Sequence, residues 1–133
     1  MLLVDTNVLL DVFGRTPAWG EWSAQQLRVQ SQVHQLAVNP VIYAEVSPVF
    51  ETPAQFDDRL DEMAVTYRDL SREALFLAGH AHRRYRSSGG PRDSILADFL
   101  IGAHAAVLGC GIITRDPRRY RTHFPRVPLV TPS

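Results

Sequence analysis

Ile95-Leu96-Ala97-Asp98-Phe99-Leu100-Ile101-Gly102-Ala103-His104-Ala105-Ala106-Val107-Leu108, followed by Gly109-Cys110-Gly111 and Ile112-Ile113-Thr114, is the stretch from which the architecture of this chain is read. Ile95 to Leu108 is apolar nearly all round, as a helix buried in the middle of a domain is. Gly102, Ala103, Ala105 and Ala106 are small enough to let neighbouring elements approach closely. Gly109 to Gly111 turns the chain, and Ile112 to Thr114 reads as a strand. One charge interrupts the helix, Asp98. An unpaired carboxylate buried there would cost several kcal/mol. A folded protein keeps such a group only with a partner, either a metal ion or an arginine.

The alternation continues outward. Leu2 to Asp5 reads as a buried strand ending in the polar turn Asp5-Thr6-Asn7, and Val8 to Phe13 as a short helix. Ala18 to Gln32 reads as a helix, Leu36 to Val38 as a second strand, and Val41 to Val46 as a helix with Pro40 in its first turn. Pro53 to Met63 is a polar, acidic helix and Val65 to Leu70 a short strand. Ser71 caps a helix from Arg72 to Arg86, Ser87 to Pro91 forms a loop, and Val127 to Val130 is a last strand. Asp93 lies five residues before Asp98, roughly 140° around a helix at about 3.6 residues per turn. It therefore reads as a helix cap beside Ser94. Strands alternating with helices predict an α/β fold of three layers: a central, mostly parallel sheet with helices on both faces. No repeat or linker divides the 133 residues, so 1–133 is expected to be one domain.

Composition narrows the chemistry. All 14 basic residues are arginine. Without lysine, a P-loop phosphate site and a Schiff-base enzyme are both excluded. The single cysteine, Cys110, permits no internal disulfide and suits a reducing cytoplasm. The apolar start is short, broken by Asp5 and Asp11, and has no basic leader. No apolar run approaches the ~20 residues of a membrane helix. The net charge is zero but unevenly spread, with residues 1–80 at −6 and 81–133 at +6. A basic second half suggests a polyanionic partner.

In an open parallel sheet, ligands bind at the carboxyl ends of the strands. Asp5 ends the first strand and Asp116 lies just past the strand 112–114, so neighbouring central strands would bring the two together. Each alone also reads as a turn or capping aspartate. Glu45, a lone charge in Val41 to Val46, reads alone as an exposed helix glutamate. Carboxylates that converge repel one another and raise each other's pKa, an arrangement suited to a cation. All-oxygen ligation favours Mg²⁺ or Mn²⁺ over zinc. The five histidines form no metal motif and read as packing or surface residues. Trp19 and Trp22, three apart on one helix face, read either as core or as part of a partner groove.

Four segments together resemble the PIN-domain ribonucleases, and among them the VapC-type toxins of bacterial toxin–antitoxin pairs. They are Leu3-Val4-Asp5-Thr6-Asn7-Val8, Ala44-Glu45-Val46, the segment from Ala97 through Asp98 to Ala105, and the segment from Ile113 through Asp116 to Tyr120. The resemblance implies a compact α/β sheet, Mg²⁺ or Mn²⁺, RNA cleavage, homodimerisation and a small antitoxin partner. It carries Asp5, Glu45, Asp98 and Asp116 over as the acidic site, with Thr6, Asn7 and Thr114 as supporting hydrogen-bonding residues. Asp5 and Asp98 would be direct metal ligands. Arg115, Arg118, Arg119 and Arg121 follow the acidic edge and are candidates for holding the phosphate backbone. The run from Val49 to Asp69 matches nothing specific in the family. Two alternatives remain: a PIN-fold nuclease of RNA or DNA processing with no antitoxin, and an inactive nucleic-acid-binding module.

Overall fold

The structure, a computed structural model, describes residues 1–14, 16–89 and 95–132. The expected cap at Asp93 and Ser94, and the Gly90-Pro91 end of the loop, lie outside the described residues. The elements run β1 (Leu2–Val4), α1 (Thr6–Gly14), α2 (Gly20–Ser31), β2 (Leu36–Val38), α3 (Pro40–Val46), a 3₁₀ turn at Ser47–Val49, α4 (Pro53–Glu62), β3 (Val65–Tyr67), α5 (Arg72–Ser87), α6 (Leu96–Leu108), β4 (Gly111–Ile113), α7 (Arg118–Arg121) and β5 (Leu129–Val130).

The strands form one sheet in the order β3-β2-β1-β4-β5, with every neighbouring pair parallel. Leu3 of β1 stands opposite Ala37 of β2 and Ile112 of β4. Leu3, Val4, Ala37, Val38, Ile112 and Ile113 are fully buried, as the central strands of a sheet covered on both faces must be. The chain leaves β1 toward β3, then returns to the other side of β1 as β4 and β5. With right-handed crossovers, that reversal puts α1 to α4 on one face and α5 to α7 on the other. It also makes the gap between β1 and β4 the switch point of the sheet, where such folds place their ligands.

Most boundaries follow the sequence reading, and the differences have local causes. The first helix begins at Thr6 rather than Val8, because the Asp5 carbonyl already accepts from the N–H groups of Val8 and Leu9. The third strand stops at Tyr67 instead of running to Leu70, where the Asp69 carboxylate takes the Leu70 N–H at 2.9 Å. The last strand covers only Leu129–Val130, because the Val127 N–H bonds back to the Phe124 carbonyl. The short helix α7 was not expected. It grows from Pro117, whose carbonyl accepts from Tyr120 and Arg121.

The buried helix α6 pairs with α5 and ends at Gly109 in the left-handed conformation, φ 66°. Gly102 on α6 lies against the Phe124 ring, and a Cβ there would overlap that ring. Gly102→Ala is therefore expected to lower stability by about 1 to 3 kcal/mol through overpacking. Urea denaturation reads this directly, and Phe124→Leu should recover part of the loss in the double variant. Additive losses would show that the ring and the glycine are not in competition.

Candidate active site

The ends of β1 and β4 are tied together before any side chain is considered, since the Asp5 N–H donates to the Ile113 carbonyl at 2.9 Å. The Asp5 carboxylate sits at that seam with no exposed surface. Its Oδ1 accepts from the Thr6 N–H at 2.8 Å, and its Oδ2 accepts from the Thr114 hydroxyl at 2.7 Å. The Asn7 amide bridges the same groups, with Nδ2 3.3 Å from Thr114 Oγ1 and Oδ1 accepting from the Arg115 N–H at 3.3 Å. Thr114 Oγ1 in turn accepts from the Asp116 N–H at 3.0 Å. Thr6, Asn7 and Thr114 thus fix the two strand-end aspartates in one frame.

Glu45 comes from α3 and is exposed, yet the Thr6 hydroxyl donates to its Oε1 at 2.6 Å. Asp98 lies in the first turn of α6 and is 4% exposed. Its Oδ2 reaches back to accept from the Ile95 N–H at 3.2 Å, and its Oδ1 is 3.4 Å from Arg119 Nη1. Asp116 contacts Arg118 through Oδ1 at 3.2 Å and Arg119 through Oδ2 at 3.6 Å. The structure therefore brings Asp5, Asp98, Asp116 and Glu45 to one end of the sheet.

The charges feel one another. Burial pushes the Asp5 carboxyl above the usual carboxylate range, against the pull of Thr114 and Arg119. Burial also raises Asp98, and Glu45 and Asp116 add repulsion, while the Ile95 N–H and Arg119 oppose the rise. Burial disfavours the Arg119 cation, but Asp5, Asp98 and Asp116 together outweigh it and raise its pKa. Tyr120 is fully buried beside Asp5, its hydroxyl pKa raised by burial and by that carboxylate. The hydroxyl makes no well-formed hydrogen bond among the described residues.

The oxygen-only donors suit a hard cation, and the Tyr120 phenol lies directly beside the Asp5 carboxylate. As placed, however, no three acidic, histidine or cysteine side chains among the described residues close on one point. Asp98 and Asp116 are turned toward Arg119 instead.

The candidate arginines divide. Arg115 is clamped on buried Asp11, with Nε to Oδ2 at 2.8 Å and Nη2 to Oδ1 at 3.1 Å, and its guanidinium lies 5.8 Å from the Trp19 ring centre. Arg118, 90% exposed, reaches only Asp116. Arg121 is exposed and forms no ion pair among the described residues. Asp11, which Ser23 also binds at 2.9 Å, escaped the sequence reading, although a lone charge in the apolar run Val8 to Phe13 was a signal of the same kind as Asp98. Asn39 escaped it too. It caps α3 by accepting from the Ile42 N–H at 2.9 Å, and its amide lies 3.2 Å from Nδ1 of buried His104, which joins the Glu45 helix to the Asp98 helix. Burial lowers the pKa of His104, so the imidazole is neutral at neutral pH. Trp19 and Trp22 form an edge-to-face pair 6.4 Å apart, and Trp22 packs on the core.

An open groove lined by Thr6, Asn7, Glu45, Arg115 and Arg119 runs beside the acids. Another groove lies elsewhere, between Tyr43, Asp57, Asp61 and Tyr67, and includes none of the four acids.

Residues 2–125 match the family model of the PIN domain. No curated protein matches the chain significantly. Among solved structures, the chain is similar in fold to VapBC2 from Rickettsia felis bound to a promoter DNA fragment (TM-score 0.74, 17% identity, covering 99% of this chain and 98% of that one). It is similar to a toxin–antitoxin complex from Klebsiella pneumoniae (TM-score 0.70, 21% identity, 100% and 98%) and to FitAcB from Neisseria gonorrhoeae (TM-score 0.62, 16% identity, 97% and 96%).

Because the folded state raises the Asp98 pKa, ionising this group costs stability in the metal-free protein. The cost is absent below the ordinary carboxylate pKa and sets in as pH rises through the higher folded value. Asp98→Asn keeps an acceptor for the Ile95 N–H and removes the charge. In EDTA, its stability relative to the parent protein should rise between pH 3.5 and pH 7, as read by urea denaturation. A difference that stays constant with pH would reject the assignment.

Proposed function

This chain belongs to the PIN domain family, which implies a nuclease, and we propose that it is a divalent-metal-dependent endoribonuclease and the toxin of a toxin–antitoxin pair. The observation that carries the reading is the meeting of two buried carboxylates, Asp5 and Asp98, with Glu45 and Asp116 at the switch point of the sheet. Mg²⁺ or Mn²⁺ would be held by Asp5 and Asp98, with Glu45 and Asp116 completing the site. When bound, such an ion polarises a phosphoryl oxygen and lowers the pKa of water.

The chain's own residues prepare the rest. Thr114 and the Thr6 N–H fix both oxygens of Asp5, so it meets a ligand without reorganising. The Thr6 hydroxyl holds the exposed Glu45 side chain at the groove. Arg118, Arg119 and Arg121 would contact phosphates along the rim, whereas Arg115 is committed to Asp11 and serves to anchor the loop after β4. A homodimer and a small antitoxin partner follow from the family resemblance, and toxin–antitoxin complexes among structures of similar fold support the partner. No helix among the described residues is long and apolar enough to cross a membrane, in keeping with action in the cytoplasm, where RNA is met.

Purified protein should cut single-stranded RNA with Mg²⁺ or Mn²⁺ and not in EDTA. Asp5→Ala and Asp98→Ala should each reduce the rate by at least about 10³-fold, given the share of a rate enhancement that a metal site supplies. Cleavage that persists in EDTA, or in either variant, would sink the reading; cleavage of DNA alone would replace it with DNA processing.

The toxin role has its own test. Expression of the chain alone should arrest growth, co-expression of a small neighbouring reading frame should relieve the arrest, and Asp98→Ala should be harmless. An active, well-expressed nuclease that leaves growth untouched would point to a housekeeping enzyme.

A further inference from the structure

Besides the solvent-exposed Arg118 on Asp116, two arginines line the groove beside the acids, and they are held in opposite ways. Arg115 is locked to Asp11 through two contacts of 2.8 and 3.1 Å. Arg119 lies between Asp98 and Asp116 at 3.4 and 3.6 Å, with neither contact short enough for a charge-assisted hydrogen bond of about 2.7 to 2.9 Å. Its side chain is 36% exposed and borders the open groove. Its backbone belongs to a single turn, α7, fixed by the buried Tyr120 beside it, so the long side chain can move while its root stays in place. Asp5, Asp98 and Asp116 all act on this one cation, and Arg118 touches only the most exposed of the three, Asp116.

We propose that Arg119 is the resident counter-ion of the acidic site: it neutralises the cluster in the metal-free protein, yields its place to a divalent cation, and then takes a phosphate of the RNA in the groove beside Thr6, Asn7 and Glu45. The proposal rests on the metal-dependent reading of the same site and adds a competitor for it. Arg119 and a cation draw on the same carboxylates, so each weakens the other's hold by the same factor. The arrangement also accounts for the open acids: two of them point at the guanidinium and not at a common centre. On displacement, the guanidinium is expelled toward the groove, on the side from which a phosphodiester reaches the acids. A bidentate donor suits that phosphate better than a point charge does.

The experiment measures Mn²⁺ affinity by calorimetry on the full chain without RNA, comparing the parent protein with Arg119→Met and Arg119→Lys. Arg119→Met should bind Mn²⁺ about tenfold more tightly, within the usual range of coupling between competing sites, and should melt at a lower temperature in EDTA. Arg119→Lys should stay near the parent protein on both measures. If the Met variant does not fold in EDTA, Arg119→Gln, which keeps an N–H donor between the carboxylates, carries the same expectation. In a second arm, binding of a short single-stranded oligoribonucleotide should weaken in Arg119→Met with Ca²⁺ present. The salt slope should there fall by about 0.7, with no loss in EDTA, where the acids occupy the guanidinium. Unchanged or weaker Mn²⁺ affinity in the neutral variants overturns the proposal and leaves the metal-dependent reading standing. An equal loss of RNA affinity in EDTA and in Ca²⁺ overturns the exchange of roles. Absence of Mn²⁺ binding by all the proteins overturns both readings.

Discussion

The hydrogen bond from the Thr114 hydroxyl to the Asp5 carboxylate, 2.7 Å across the seam of β1 and β4, is the contact on which the rest of the site depends. It ties together residues separated by most of the chain, and it does so where water is excluded. A carboxylate with no exposed surface is tolerable only if its lone pairs are occupied. Thr6, Thr114 and Asn7 occupy most of them. Because Thr114 also accepts the Asp116 N–H, one hydroxyl sets the positions of two acids on two strands. The three-residue strands make this possible. Their ends lie close to the middle of the sheet, so a side chain one position past β1 or β4 is still buried.

Electrostatics explains why the acids do not push the fold apart. The second half of the chain is rich in arginine and the first half in acid, and the β1–β4 pairing sews the two halves together. Arg115 meets Asp11 of α1 at short range in a largely buried setting, where a paired charge is stable and a lone one is not. Arg119 is about as exposed as Arg115, but it meets Asp98 and Asp116 only at longer range, 3.4 and 3.6 Å, so its hold on each is looser. One arginine builds the site and the other balances its charge. Their difference lies in geometry, since the side chains are chemically the same.

Much of this was legible in the sequence, for physical reasons. Three-residue apolar strands bounded by turns, and a helix apolar all round, admit few arrangements other than a covered parallel sheet. Asp5 and Asp98 stood out because each is a charge where only apolar residues belong. Glu45 did not stand out, and the structure shows why: it is exposed, and the contact that draws it to the site is a hydroxyl on another helix. Nothing in local sequence tells Arg115 from Arg119, because the distinction depends on Asp11, more than a hundred residues away in the chain. The link between Asn39 and His104 was hidden in the same way: Asn39 reads as a turn residue before Pro40, and His104 as packing. The helix α7 was missed because four residues after a proline give no periodicity to read.

The uneven charge of the two halves acquires a different meaning once the fold is in view. Of the basic residues after position 80, Arg118 and Arg119 are already opposed by acids of the site and Arg115 by Asp11. Among the described residues, those without an ion pair are Arg83, Arg84 and Arg86 at the C-terminal end of α5, Arg121 on α7 and Arg126, all exposed. Arg84 shares a shallow groove with Thr122 and His123, which places this cluster beside α7 and so on the flank of the acids. Positive charge at the end of a helix is favoured by the helix dipole, so these arginines carry little structural cost in staying unpaired. Unpaired positive charge on this flank favours a polyanion there over the acids. A cluster of carboxylates repels phosphate on its own. Here the two buried acids, Asp5 and Asp98, have cations of α7 and α5 on one flank, an asymmetry that suits a polyanionic ligand.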